Sequence, residues 1–356
     1  MTTQNYNVIG LMSGTSLDGI DLAHILFEVK NSKWTYQLLE CQTVAYSKTW
    51  LEILKTAVNL PTNQLEIVNT NYTKYVGETI VAFIKKNNIQ NLDAVCSHGH
   101  TILHQPQNGF TLQIGNLQEI SKICNQKVVC DFRVQDVQLG GQGAPLVPIG
   151  DKILFADYDF CLNLGGFSNI SFTQNDQQIA FDISAVNTVL NFYANQLGFD
   201  FDDNGAFAKS GKIHKLLLNQ LNDLPFYSQI PPKSLGIEFV NSTILPLIDR
   251  FSIPIIDKLN TFCVHIALQI ALVLKNKTGK LLISGGGAYN GFLIDLIQQQ
   301  LPNIEVVIPD KKTIEFKEAL IFGLLGVLKI RNETNVLASV TGAKHDHCSG
   351  VIFEKP

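Results

Sequence analysis

The chain has 356 residues, 46% hydrophobic and 16% charged, with 27 Lys and Arg against 31 Asp and Glu for a net charge of −4. That length exceeds what one hydrophobic core usually spans, so two domains are expected. With no dominant sign and no long basic run, nucleic acid and anionic membrane are poor partners, whereas an anionic small molecule stays open, because backbone N–H groups bind phosphate without net positive charge.

Met1 to Asn7 lacks the basic start and apolar stretch of a secretory signal. No run approaches the ~18–20 apolar residues of a spanning helix. The seven Cys are scattered without a CxxC pair and read as reduced core thiols, so a cytoplasmic protein is expected.

In chain order, apolar runs at 8–12 and 20–29 flank a small, polar, Gly-containing turn, which predicts a hairpin with a rich tip. Lys33 to Tyr46 reads as a further strand, and Leu65 to Lys86 has helical periodicity. Ala94 to Ser97 and Val128 to Phe132 read as buried strands around a helix near residues 116–124. The Gly-rich stretch Leu139 to Pro145 is the best candidate for a hinge. A second hairpin follows, Phe160 to Leu164 and Ile170 to Phe172 around Gly165-Gly166, then a strand at Ile179 to Ile183 and a helix from Asn187. Ile253 to Leu274 predicts a long amphipathic helix. Lys280 to Ser284 is a strand ending in Gly285-Gly286-Gly287, with a helix from Asn290, a strand at Ile304 to Ile308 and a helix at Glu315 to Lys329. The last residues look irregular. The layout repeats although the sequence does not, which suggests a duplicated α/β unit around a cleft.

Four segments carry chemistry. In Gly10 to Asp21, small residues let the backbone approach a phosphate and Ser13, Thr15 and Ser16 offer hydroxyls. Asp18 and Asp21 place two carboxylates at the same turn, where they could hold Mg²⁺ directly or through water. The segment lacks the Gly-Lys-Ser/Thr of a Walker A loop, and the plainer alternative is a capped hairpin tip. Asn163 to Asn169 repeats the design with Gly165 and Gly166, as if two hairpins gripped a polyphosphate. Gly285, Gly286, Gly287 and Asn290 form a strand–turn–helix junction that suits a nucleotide at a helix N-terminus, although a turn with an Asn cap explains it as well. Asp182 ends an apolar strand; desolvation there would raise its pKa toward a useful general base, and a helix cap is the competing role.

His98, His100 and His104 are close in sequence, but without Cys or acidic partners at ligand spacing they suit polar contacts to a substrate better than a metal. Arg133 ends a strand and could pair with an anionic substrate group or with Asp131 or Asp136.

The ordered segments GLMSGTSLDGID (10–21), SHGHTILHQP (97–106), TLQIGN (111–116), VVCDFRVQD (128–136), GGQGAPLVP (140–148), LNLGGFSNI (162–170), FDDNGAFAKSG (201–211), SGGGAYN (284–290), KEALIFGLL (317–325) and SVTGA (339–343) resemble the anhydro-N-acetylmuramic acid kinase family over nearly the whole chain. The resemblance implies an α/β, two-lobed actin-like ATPase (ribonuclease H-like) fold, with a duplicated mixed sheet and a nucleotide cleft between lobes. The lobes expected are 1–133 plus about 318–356, and 134–317 with the adenosine site. It implies ATP and Mg²⁺ as cofactors and an anhydro sugar as substrate, no nucleic-acid or membrane partner, and a possible homodimer.

By the same likeness Asp182 is the base, and Ser13, Gly14, Thr15, Ser16, Asp18, Gly19, Asp21, Gly165 and Gly166 face the ATP phosphates. Gly285, Gly286, Gly287 and Asn290 face adenosine, Ser97, His98, Thr101 and Arg133 face the sugar, and Asp18 and Asp21 face the metal. The chain departs from the family at Ile183-Ser184-Ala185-Val186, where Thr-Gly-Pro-Gly is usual, and at His100, where Gln is usual. It is therefore read as a divergent member. A kinase of the same fold for another amino sugar, or a non-catalytic ATP-binding member, are the alternatives.

Overall fold

The computed structural model describes residues 3–14 and 17–356. Its strands, in chain order, are β1 (Gln4–Ser13), β2 (Ile20–Lys30), β3 (Lys33–Val44), β4 (Ala94–Gln105), β5 (Phe110–Ile114), β6 (Val128–Cys130), β7 (Phe160–Leu164), β8 (Phe167–Gln174), β9 (Gln177–Ala185), β10 (Gly279–Ser284), β11 (Ile304–Val307) and β12 (Val351–Phe353). They divide between two compact units: one holds the residues up to Leu154 together with Phe316–Pro356, the other Phe155–Glu315.

In the first unit the strand order is β3-β2-β1-β4-β6-β12, with β5 paired to β4. The β1, β2 and β3 strands form an antiparallel meander, with Met12 opposite Asp21, while β4 runs parallel to β1 and β6 parallel to β4. The second unit has the order β9-β8-β7-β10-β11, again an antiparallel meander followed by two parallel strands. Three antiparallel strands and then two parallel ones is the ribonuclease H-like order. Its occurrence twice in one chain is the actin-like ATPase fold, α/β with two mixed sheets.

Burial follows strand position. The central strand β4 is buried without alternation from Ala94 to His100, as a parallel strand covered on both faces must be. The helix Lys311–Ile330 packs on β1 so closely that a Cβ at Gly10 would collide with the Ala319 carbonyl. Gly10 is the residue that permits this approach of helix to strand. The second unit's core is built on the helix Ile255–Val273, whose Leu259, Phe262, Cys263, Ile266 and Ile270 are buried at helical spacing. Burying each such large side chain is worth about 2 kcal/mol. By length and composition that helix could cross a bilayer, contrary to the expectation that no run is apolar enough, but its apolar side is core. Cys96, Cys124, Cys130, Cys161 and Cys263 are also buried.

Two expectations change. The tail is not wholly irregular: Val351–Phe353 adds β12 antiparallel to β6, with Ile352 opposite Val129. The Gly-rich stretch near residue 140 is pinned inside the first unit rather than left as a free linker. Its Gly143 N–H donates to Asp136 (2.6 Å), its Gln142 N–H donates to the Thr341 carbonyl (2.8 Å), and the Thr341 hydroxyl donates to Asp136 (2.7 Å).

Candidate functional site

In the first unit the ends of β1, β2, β4 and β6 bring together most of the residues singled out there. Thr15 and Ser16 lie outside the described residues. Leu17 and Gly19 both have positive φ, 63° and 153°, and the Leu17 N–H donates to the Gly14 carbonyl (3.2 Å). A Cβ at Gly19 would meet the Val44 carbonyl, so the turn needs glycine there. Asp18 is exposed, and Asp21 accepts a hydrogen bond from Thr43 Oγ1 (2.6 Å). Ser13 is buried, and its hydroxyl is engaged by Tyr46, Tyr72 and His100.

The β4 residues face several ways. His98 Nδ1 donates to the Gly99 carbonyl (2.9 Å), so Nε2 is free to accept from Arg133 Nε (2.9 Å). Burial, and then the Arg133 charge, hold His98 well below the usual imidazole range, so it stays neutral. Arg133 also donates through Nη1 to the Gly143 carbonyl (2.6 Å), and pairs with neither Asp131 nor Asp136 at salt-bridge distance. Burial lowers its pKa to about 10, with Glu318 and Asp136 acting the other way. Ser97 is bonded to Asn116 (3.3 Å), and Thr101 accepts from Gln113 (3.3 Å). His104 turns to Thr111, so the three histidines do not converge. Among the described residues no group of three or more His, Cys, Asp or Glu side chains is placed to hold a metal ion.

Glu318 was not singled out in the sequence. Its carboxyl pKa is raised, by crowding among protein atoms first and by Asp21, against the opposing charges of Arg133 and Lys317. The side chain nonetheless reaches solvent, so the like charge of Asp21 is the firmer cause. Asp21 and Glu318 are therefore carboxylates close enough to repel each other.

In the second unit Asp182 lies on β9 opposite Asn169 of β8. Its carboxylate is half-buried, and Oδ2 accepts the Leu235 N–H (2.8 Å) while its own N–H donates to the Lys233 carbonyl (3.0 Å). Burial raises its pKa, and the Leu235 bond works against that. The short segment at Lys233–Leu235 thus orients the carboxylate, a role with no local sign in the sequence. Lys233 is itself held by the Phe226 carbonyl (3.2 Å) and stands 4.6 Å over the Phe226 ring.

The turn Gly165-Gly166 is held by main chain: the Asn187 N–H donates to Gly165 (3.2 Å), and those of Val186 (2.9 Å) and Thr188 (3.2 Å) donate to Gly166. At the third Gly-rich segment, a Cβ on Gly285 would clash with Asn163 and Leu164, so strand and turn touch directly. Gly286 and Gly287 open a short turn ending at Tyr289. Asn290 caps the helix Gly291–Gln300 through the Leu293 N–H (3.0 Å), and Asn204 accepts the Gly291 N–H (3.1 Å).

Comparison with known sequences agrees along the chain. The sequence profile described as anhydro-N-acetylmuramic acid kinase matches residues 6–355. A protein of that name from Clostridioides difficile is 35% identical, with 98% of each chain covered. One from Mannheimia succiniciproducens is 35% identical over 98% of each chain, and one from Sulfurimonas denitrificans is 30% identical over 97% of this chain and 99% of its own.

Proposed function

The chain belongs to the anhydro-N-acetylmuramic acid kinase family, and from that premise we propose how its residues divide the reaction. The protein is a phosphotransferase with an alcohol group as acceptor. It uses ATP to open the internal anhydro bond of 1,6-anhydro-N-acetylmuramic acid and to phosphorylate O6. The products are N-acetylmuramic acid 6-phosphate and ADP, and the setting is cytoplasmic recycling of cell-wall sugar.

Asp182 is the base. It removes a proton from the water that attacks C1; the C1–O6 bond breaks and O6 takes the γ-phosphoryl group. The observation that carries this is the Asp182 carboxylate itself. One oxygen is fixed by the Leu235 N–H, and burial raises its proton affinity toward that of a working base. No covalent nucleophile is needed, because the rest of the task is placing and neutralising phosphate.

Gly14, Gly19 and the residues they flank are phosphate contacts, and so are Gly165 and Gly166. Gly285 to Gly287 receive adenosine. Asp18 and Asp21 are the oxygen donors that would hold Mg²⁺, directly or through water, and the ion would neutralise charge on the phosphates. His98 and Arg133, locked to each other, present the guanidinium to the sugar's lactyl carboxylate. Replacing Asp182 with Asn tests the assignment. Sugar-dependent ADP release should vanish while nucleotide binding persists; retained turnover would put the base elsewhere.

A further inference from the structure

Four side chains at the base of the first loop are joined in a way that no role above uses. The Ser13 hydroxyl lies 2.5 Å from the Tyr46 hydroxyl, 3.0 Å from that of Tyr72 and 2.8 Å from His100 Nδ1. The two tyrosine hydroxyls are 2.6 Å apart. Four contacts need four protons, and three hydroxyls supply three. The fourth must come from His100, so its Nδ1–H donates to Ser13 and its Nε2 carries the lone pair. The surroundings agree with that count: burial raises both tyrosine pKa values, so the hydroxyls keep their protons, and lowers that of His100 to about 4, so the ring is neutral at physiological pH.

The exposures are 1% for Ser13, 7% for Tyr46, 0% for Tyr72 and 2% for His100. Water therefore does not stand in for a lost partner, and deleting one group leaves the others unsatisfied. The four come from distant parts of the first unit: the last residue of β1, the segment after β3, the helix Thr62–Lys86 and β4. They meet where Ser13 lies opposite His100 and the β1–β4 register shifts, immediately before Gly14.

We propose that Ser13, Tyr46, Tyr72 and His100 are positioning residues for the ATP phosphates: the hydroxyl hub fixes the point and direction at which the first loop leaves the sheet. This rests on the reading above that the loop holds those phosphates. It also gives the Ser13 hydroxyl an inward task, so Ser13 acts through the placement of Gly14 and the residues after it. His100 enters as a donor, a part that the amide N–H of Gln can take and that Ala cannot.

The test combines steady-state kinetics with direct binding of a fluorescent ATP analogue, on the full-length protein, without sugar in the binding arm. Ser13→Ala and Tyr72→Phe should each raise KM for ATP about tenfold, and weaken analogue binding to match, with a smaller effect on kcat. The double variant should be little worse than either single one, because both remove the same hub. His100→Ala should behave like Ser13→Ala, and His100→Gln should restore KM for ATP. Variants that lower the melting temperature but leave KM and analogue binding at wild-type values would overturn the proposal, as would His100→Gln being as impaired as His100→Ala. A wild-type chain that binds no ATP overturns both this proposal and the reading it rests on. One that binds ATP but ignores the anhydro sugar overturns the substrate assignment alone, since the binding arm still scores the hub.

Discussion

The two sheets share one strand order but hold the tips of their first hairpins by different means. At the end of β1 the anchors are side chains, the buried hydroxyls of Ser13, Tyr46 and Tyr72 with His100. At the β7–β8 turn they are main-chain N–H groups of Val186, Asn187 and Thr188 donating to Gly165 and Gly166. A main-chain anchor is indifferent to side-chain identity, provided the donor is not Pro. That explains how residues 183–186 can read Ile-Ser-Ala-Val where relatives of this family usually have Thr-Gly-Pro-Gly: the Val186 bond needs only an amide. A hydroxyl hub offers no such freedom.

The largest effect expected in the second unit comes from chemistry rather than anchoring. Asp182→Asn should lower sugar-dependent turnover by about 10²–10⁴-fold, measured by coupled ADP release. Its melting temperature should hold or rise, because a half-buried charge with a raised pKa is removed. A large loss of stability would make Asp182 a structural anchor and break the comparison.

Dependence on particular polar side chains in the first unit extends to Lys317 and Asp151, 2.7 Å apart and each 7% exposed. Lys317→Met should cost about 3–5 kcal/mol in denaturant unfolding, since it removes one charge of a buried pair, and adding Asp151→Leu should recover much of that. A loss under about 1 kcal/mol, the scale of an exposed pair, would contradict this.

The pH profile gives a smaller, graded effect. Asp182 must be ionised to accept a proton, so activity is present above its pKa and lost as pH falls through it. Because that pKa is raised, the acid limb of kcat/KM should lie above the ordinary Asp value of about 3.9, falling roughly tenfold per pH unit below its midpoint. The limb should disappear from whatever residual rate Asp182→Asn retains. A limb at or below the ordinary value would remove Asp182 as the titrating base.

The smallest change tests the anchors themselves. Thr188→Val deletes a hydroxyl bond to the Gly166 carbonyl (2.9 Å) but keeps the N–H bond to the same atom. It should cost about 1 kcal/mol or less in unfolding and barely move KM for ATP. An effect as large as that expected for Ser13→Ala would mean that the β7–β8 turn also hangs on a side chain.

Much of this architecture was legible in the chain. Phe160 to Leu164 reads as a strand and is one, because its apolar run and Gly boundary are local signals. From the sequence, Ala94 to Ser97 and the His98 to His104 stretch read as a strand, a turn and a strand, yet β4 runs through to Gln105, its second half paired with β5. β12 has no local signature, because three residues in a polar tail become a strand only through distant β6. Among the candidate residues, the glycines and Asp182 stand out by type and spacing. Glu318, Tyr46, Tyr72 and Leu235 do not, because each acquires its role from a partner far away in sequence. The inward turn of the Ser13 hydroxyl is likewise tertiary: nothing within Gly10 to Asp21 says that two tyrosines and a histidine will close over it.

Giving the purified protein ATP, Mg²⁺ and 1,6-anhydro-N-acetylmuramic acid, and following ADP together with the mass of the sugar product, decides whether the anhydro ring opens as O6 is phosphorylated. ADP should form only when the sugar is present, in step with a product heavier by one phosphoryl group (HPO3) and one water. Equal ADP formation without the sugar, or a phosphorylated sugar whose anhydro ring is still closed, would contradict it.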